Sequence, residues 1–142
     1  MPSPPRTHLA TALAEIYAEL DARIRDKTCT HCTECCRFAQ TGRTPMLTAA
    51  EARVAAQAWK ATGRRFREKE DDSCPCLDDS RGRCLIYAAR PFGCRSHFCA
   101  ASGGTPPRRE VADLIRRMED LDTSFPAPRP LPAALRVFLK PV

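Results

Sequence analysis

Cys29-Thr30-His31-Cys32-Thr33-Glu34-Cys35-Cys36 places four cysteines within eight residues of a 142-residue chain. A Cys-x-x-Cys pair directs two thiolates at one cation, and this spacing is typical of zinc and iron–sulfur ligation. The spacing occurs twice here, and an adjacent cysteine extends it. Neighbouring side chains leave the backbone in different directions, so Cys35 and Cys36 are expected to serve two metals or two edges of one cluster.

A second group of cysteines lies downstream, and the chain contains nine in total. Its members are Cys74, Cys76, Cys84, Cys94 and Cys99. The segment 78–83 has the composition of a turn and is predicted to fold Cys84 back toward Cys74 and Cys76. The sequence therefore predicts a metal-binding domain whose ligands come from two loops, at about residues 28–38 and 74–99.

Other uses of these cysteines fit the sequence less well. An odd cysteine count and the absence of an apolar signal-peptide core argue against a disulfide framework. A thioredoxin-like pair would lie between a strand and a helix, whereas an amphipathic helix is predicted before Cys29. Haem attachment would need histidine after Cys32, where the chain has Thr33. Nine thiols fit a reducing cytoplasm best.

Helical periodicity dominates the rest of the chain. Apolar residues recur at three- and four-residue spacing from Thr7, which predicts an amphipathic helix of about five turns. Thr48 and Glu51 have the spacing of a capping box that begins a second helix, and Gly63 would end it. Further helices are predicted after the prolines at 106–107, with an apolar stripe from Val111 to Leu121, and over residues 131–139.

These elements predict a mainly α, small, metal-stabilised single domain over residues 1–142, with helices flanking two cysteine-rich loops and little or no sheet. Residues 28–99 would form its cysteine-cluster core. Proline-rich residues 1–6 and 122–132 are predicted to be flexible or extended. No run of about 18 apolar residues occurs, so no membrane-spanning helix is expected.

The formal net charge of +6 suggests nucleic-acid binding at first sight. That value counts each cysteine as neutral, although metal-bound thiols are deprotonated. Eight bound thiolates with two divalent cations would lower the net charge to about +2. The basic excess is therefore interpreted as balancing the metal site, and a nucleic-acid partner is not expected.

Several ordered motifs carry a resemblance to a known family. They are Cys29-x-x-Cys32-x-x-Cys35-Cys36, Cys74-Pro75-x-Leu77 and Cys84-x-Ile86-Tyr87-x-x-Arg90-Pro91-x-x-Cys94-Arg95. Over about residues 28–99 this pattern closely resembles the YkgJ-type cysteine-cluster family of bacterial proteins, which carry a zinc- or iron-chelating domain. The resemblance implies seven metal ligands, namely Cys29, Cys32, Cys35, Cys36, Cys74, Cys84 and Cys94. We take Cys99 as the eighth ligand, with Cys76 as the alternative.

Arginines adjoin the expected ligands. Arg37, Arg90 and Arg95 would neutralise a four-thiolate site, whose net charge is near −2 with either metal, and would hydrogen-bond its sulfurs. Thiolate ligands select zinc, copper(I) or iron–sulfur clusters, and cysteine spacing alone does not separate zinc from iron–sulfur. We favour an iron–sulfur cluster for the first stretch.

Two functional classes stay open. One is a redox or metal-handling protein, and the other is a structural-metal scaffold whose helices bind a protein partner. No catalytic constellation is recognisable in the sequence, so whether the protein is an enzyme stays open.

Overall fold

A computed structural model describes residues 6–24, 44–71, 73–78, 80–96 and 106–139. Its α-helices are α1 (Arg6–Arg23), α2 (Ala49–Ala61), α3 (Phe92–Ser96), α4 (Arg108–Leu121) and α5 (Leu131–Phe138). Two-residue strands pair antiparallel, β1 (Met46–Leu47) with β4 (Arg129–Pro130) and β2 (Leu77–Asp78) with β3 (Arg83–Cys84). Residues 87–89 form a 3-10 turn. The predicted mainly helical fold with little sheet is confirmed.

α1 and α4 pack against each other through the apolar stripes that their sequences predict. The first core cluster that they form comprises Leu13, Ile16, Tyr17, Leu20, Ile24, Phe92, Val111, Leu114 and Met118. α1 spans 18 residues, which corresponds to the predicted five turns. This cluster therefore joins α1 to a helix that begins 85 residues after α1 ends, so both of these distant segments are needed to build it.

α2 begins with the predicted capping box. The Thr48 side chain accepts a hydrogen bond from the Glu51 backbone N–H, and the Glu51 carboxylate accepts one from the Thr48 backbone N–H at 3.2 Å. Two backbone donors that the helix cannot satisfy internally are thus paired. The helix ends at Ala61, and Gly63 has a positive φ of 72°, as the sequence predicts for the end of this helix.

A second core cluster lies between α2, α5 and the β2–β3 hairpin. Its buried members are Leu47, Ala52, Ala55, Ala56, Trp59, Cys74, Cys76, Leu77, Ile86, Leu131, Ala134, Leu135 and Leu139. Trp59 packs edge-on against the partly buried ring of Phe66 at 5.9 Å between ring centroids. The predicted C-terminal helix is confirmed and supplies one side of this cluster.

The segment after α4, for which an extended conformation is predicted, contacts α2 and α5. Asp122 is buried, accepts a hydrogen bond from the Ser124 backbone N–H at 3.0 Å and pairs with Arg53 of α2. Phe125 stacks on Phe138 at 5.7 Å between ring centroids. α5 begins at Leu131, so the last two residues of the segment 122–132 are helical.

An exposed ion pair between α1 and α4 makes stability depend on pH. Both terminal guanidinium nitrogens of Arg23 donate to the Asp113 carboxylate at 2.8 Å, and this lowers the pKa of Asp113 to about 2. A carboxyl whose pKa is depressed in the folded state stabilises the fold above its unfolded pKa of about 3.9. We expect the small stability difference between the wild type and Asp113→Asn to be fully present at pH 7, to decline below about pH 4 and to be lost as the pH falls through about 2. Urea midpoints of the two proteins between pH 7 and pH 2 measure this difference, and a difference at pH 2 as large as that at pH 7 would contradict it.

Candidate metal centre

The predicted metal ligands divide into those that the structure describes and those that it does not. Cys74, Cys76, Cys84 and Cys94 are described, and no disulfide joins any two of these four. The first stretch, with Cys29, Cys32, Cys35 and Cys36, lies outside the described residues, as do Cys99 and Arg37.

The β2–β3 hairpin brings Cys84 next to the Cys74-Pro75-Cys76 turn. The Leu77 N–H donates to the Cys74 carbonyl at 3.0 Å, and the Leu85 N–H donates to the Cys76 carbonyl at 2.8 Å. Cys84 lies opposite Leu77 in the ladder. The reversal uses Gly82, which has a positive φ of 62°. The predicted turn that folds Cys84 back is confirmed.

The four described cysteines differ in depth. Cys76 is fully buried at 0% exposure inside the second core cluster, and Cys74 is 4% exposed. Cys84 and Cys94 are partly buried and pack against the same cluster. All four therefore border one apolar region, with Cys76 in its interior and Cys84 and Cys94 nearer to solvent.

Cys94 lies on α3, which begins directly after Pro91. The Cys94 and Arg95 backbone N–H groups both donate to the Pro91 carbonyl at 3.0 Å. Pro45 packs against this helix, because a Cβ built on Gly93 would lie 3.4 Å from the Pro45 Cβ. Pro45 belongs to the segment that follows the first cysteine stretch. The close approach of a second chain segment at Gly93 therefore brings the continuation of that stretch against the helix that carries Cys94.

Arg95 is held by several partners at the predicted site. Its side chain is 9% exposed, and its guanidinium lies 4.1 Å from the Tyr17 ring centroid. Nε donates to the Arg90 carbonyl at 2.7 Å, and one terminal nitrogen faces Asp21 at 3.3 Å. Burial lowers the pKa of Arg95, yet a guanidinium stays protonated in proteins. A fixed positive charge thus lies one residue after Cys94.

Arg90 is partly buried, like Arg95, and is held by local contacts. Its guanidinium stacks on the Tyr87 ring at 3.8 Å, and Nε donates to the Tyr87 carbonyl at 3.1 Å. Arg90 therefore lies in the segment that joins Cys84 to Cys94, and Arg95 directly follows Cys94.

Glu51 lies next to α3 and has contacts that the sequence did not predict. The capping box identified it as a helix-start residue, but its carboxylate also accepts hydrogen bonds from the Phe92 backbone N–H at 2.5 Å and from the Tyr17 hydroxyl at 3.3 Å. Burial raises the pKa of Glu51, while its hydrogen bonds oppose that rise. Burial and the Glu51 charge also raise the pKa of Tyr17. Of these contacts, the sequence hints only at the inward position of Tyr17, which lies four residues after Leu13 and therefore beside the predicted apolar stripe of α1.

A cleft of about 530 Å³ adjoins this network. Cys94 and Glu51 line it, together with apolar side chains of α4. Thr44, Ser96 and Pro106 also line it, and each of these is the first or last described residue beside a segment that the structure does not describe. The cleft is therefore the place where both segments containing the remaining predicted ligands join the described fold.

Across the described ranges, no three His, Cys, Asp or Glu side chains form a group that could hold a metal ion. Cys74, Cys84 and Cys94 thus do not make a complete site from described residues. They supply soft sulfur donors, which suit zinc and iron, and a site built on them needs ligands from elsewhere in the chain.

The fold and the arrangement of the cysteines define a small helical protein in which the four described cysteines belong to or pack against one core cluster. A family model described as "CxxCxxCC: Putative zinc- or iron-chelating domain" matches residues 28–114. The chain belongs to this family, which confirms the resemblance and makes zinc or iron chelation its function at the family level. Neither a curated protein nor a solved structure matches the chain. In the described part of the chain, no helix combines the length and apolar composition needed to span a bilayer.

Proposed function

We propose that this protein binds zinc or iron through thiolates of both cysteine groups, which share at least one metal, and that it acts in metal handling or electron transfer in a reducing cytoplasm. The proposed ligands are Cys29, Cys32, Cys35, Cys36, Cys74, Cys84, Cys94 and Cys99. The observation that carries the shared site is the contact of Pro45 with Gly93. Thr44 follows Cys36 by eight residues, which span at most about 28 Å, so the first stretch stays within reach of Cys94.

Charge also supports a thiolate site beside α3. Four thiolates around one divalent cation carry a net charge near −2, and a partly buried negative charge needs a cationic partner. Arg95 supplies a fixed guanidinium one residue after Cys94, and its partners in the described fold hold it in place. Arg90 lies on the same segment, and we assign Arg37 the same role beside Cys36.

The partial exposure of Cys84 and Cys94 supports an exchangeable or redox-active site over a purely structural one. Electron transfer and metal delivery both require a partner to approach the site, whereas a structural zinc site is closed by four protein ligands. We propose an iron–sulfur cluster at the first stretch, because Cys29, Cys32 and Cys35 have the spacing that binds three corners of a four-iron cluster.

Metal analysis of anaerobically purified protein tests this function. We expect tightly bound iron with sulfide in about equal amounts and a broad visible absorption band, which is the signature of an iron–sulfur cluster. Zinc without sulfide, retained during dialysis, would instead support the structural-metal scaffold. A protein purified without zinc or iron that does not take up either metal under reducing conditions would contradict the proposal.

A further inference from the structure

The Glu51 carboxylate lies where three helices meet. One oxygen accepts hydrogen bonds from the Thr48 backbone N–H at 3.2 Å and from the Thr48 hydroxyl at 3.0 Å. The other oxygen accepts from the Tyr17 hydroxyl at 3.3 Å and from the Phe92 backbone N–H at 2.5 Å. Glu51 is only 2% exposed. A buried carboxylate with several donors is fixed in one orientation.

These four hydrogen bonds limit what Glu51 can do. A carboxylate has about four lone-pair positions, and all of them are used here. Glu51 therefore has no acceptor position left for a metal ion or for the proton of a bound molecule. Its partners come from α1, α2 and α3, which points to a role in holding these elements together.

The connection to the proposed metal centre passes through α3. Phe92 precedes Cys94 by two residues, and its N–H is held by Glu51. The Cys94 and Arg95 N–H groups bond to the Pro91 carbonyl, directly before Phe92. The Arg95 guanidinium stacks on the ring of Tyr17, and the Tyr17 hydroxyl also donates to Glu51. The start of α3, the ligand and the neighbouring positive charge are thus tied to one buried carboxylate.

We infer that Glu51 is a positioning residue for the metal ligand Cys94, which it orients through the Phe92 N–H without touching the metal. This inference rests on the proposed function and adds to it a residue outside the cysteine motifs. Groups that orient metal ligands through hydrogen bonds typically contribute about 10- to 100-fold to metal affinity. Glu51 would act in this way on the backbone that carries the ligand.

The test uses the full chain with zinc and with cobalt(II), which reports thiolate geometry through its absorption spectrum. Glu51→Gln keeps the size of the side chain, but its amide cannot accept all four hydrogen bonds. We expect about 10- to 100-fold weaker zinc binding in competition with a chromophoric chelator, and an altered cobalt spectrum. Tyr17→Phe removes one hydrogen bond and is expected to cause a smaller change of the same kind. It keeps the inference testable should Glu51→Gln not fold.

Asp122→Asn is the matched control, because Asp122 is also a buried carboxylate but bonds to Ser124 and Arg53. We expect its zinc affinity to stay within about twofold of wild type, with the same cobalt spectrum. Equal losses of zinc affinity in Glu51→Gln and Asp122→Asn would show that the effect comes from general destabilisation of the fold, and this would overturn the inference. Wild-type affinity and spectrum in both Glu51→Gln and Tyr17→Phe, with binding weakened in Cys94→Ser, would overturn the inference and leave the metal site standing. Failure of the wild type to bind either metal would overturn both.

Discussion

Removing the bound metal is expected to unfold the region from Cys74 to Cys94, together with the first cysteine stretch. The described part of this region has little hydrogen-bonded structure of its own, since its strands are two residues long and α3 has five residues. Metal binding contributes of order 10 kcal/mol to folding in small zinc domains. None of the described residues that form the first core cluster is a cysteine, so α1 and α4 should keep more of their helical structure.

Circular dichroism, thermal unfolding and hydrogen exchange before and after chelation measure this effect. We expect a lower melting temperature and a loss of exchange protection that is largest in residues 73–96. Readdition of metal should restore both, which controls for damage by the chelator. A metal-free sample with an unchanged spectrum and melting temperature would show that metal does not stabilise this fold.

Changing Cys94 and Cys76 to serine is expected to separate metal binding from core packing. Serine is a poor ligand for soft metals, so Cys94→Ser should lose at least one metal ion per chain. Cys76 is fully buried among apolar side chains, and it lies too close to Cys74 for both to face one ion readily. Cys76→Ser should therefore keep its metal but lower the free energy of unfolding by about 1–3 kcal/mol, because it buries a hydroxyl.

Elemental analysis and urea unfolding of both variants measure this pair of results. Cys76→Ala is the control for the hydroxyl, and it should also keep its metal. Equal metal loss from Cys76→Ser and Cys94→Ser would show that Cys76 is a ligand and that its burial has another cause.

The helices could be predicted because their signals are local. The spacing of Leu13, Ile16 and Leu20 indicates a helix with one apolar face, and it is this face that packs in the first core cluster. The capping box at Thr48 and the turn at Gly82 likewise depend on residues a few positions apart, and the structure contains both. Periodicity and turn chemistry therefore suffice for these elements.

The polar network behind α3 could not be predicted, because its partners are far apart in sequence. Tyr17 lies 34 residues before Glu51, and Phe92 lies 41 residues after it. No periodicity links such positions, and a backbone N–H donor such as that of Phe92 leaves no trace in residue type. The burial of Cys76 could not be predicted either, because residue type alone does not distinguish a cysteine that packs in a core from one that binds a metal.

A test of the shared metal site has to keep the chain intact. Expressing residues 1–63 and 64–142 separately would divide the first core cluster, in which α1 packs on α4, and would also separate α2 from α5. Each fragment would lose half of its core, so weaker metal binding by a fragment would not report on ligand sharing. Substitutions in the full-length chain avoid this problem.

The most direct measurement is the number of metal ions per chain in three variants of the intact protein. They are Cys94→Ser, the double variant Cys35→Ser/Cys36→Ser, and the triple variant that combines them. If the first stretch and Cys94 share a metal, the double variant has already lost the ion that Cys94→Ser loses. The triple variant is then predicted to retain the same metal content as the double variant. A triple variant that lacks, in addition, the ion lost by Cys94→Ser alone would show two independent sites and contradict the shared metal centre.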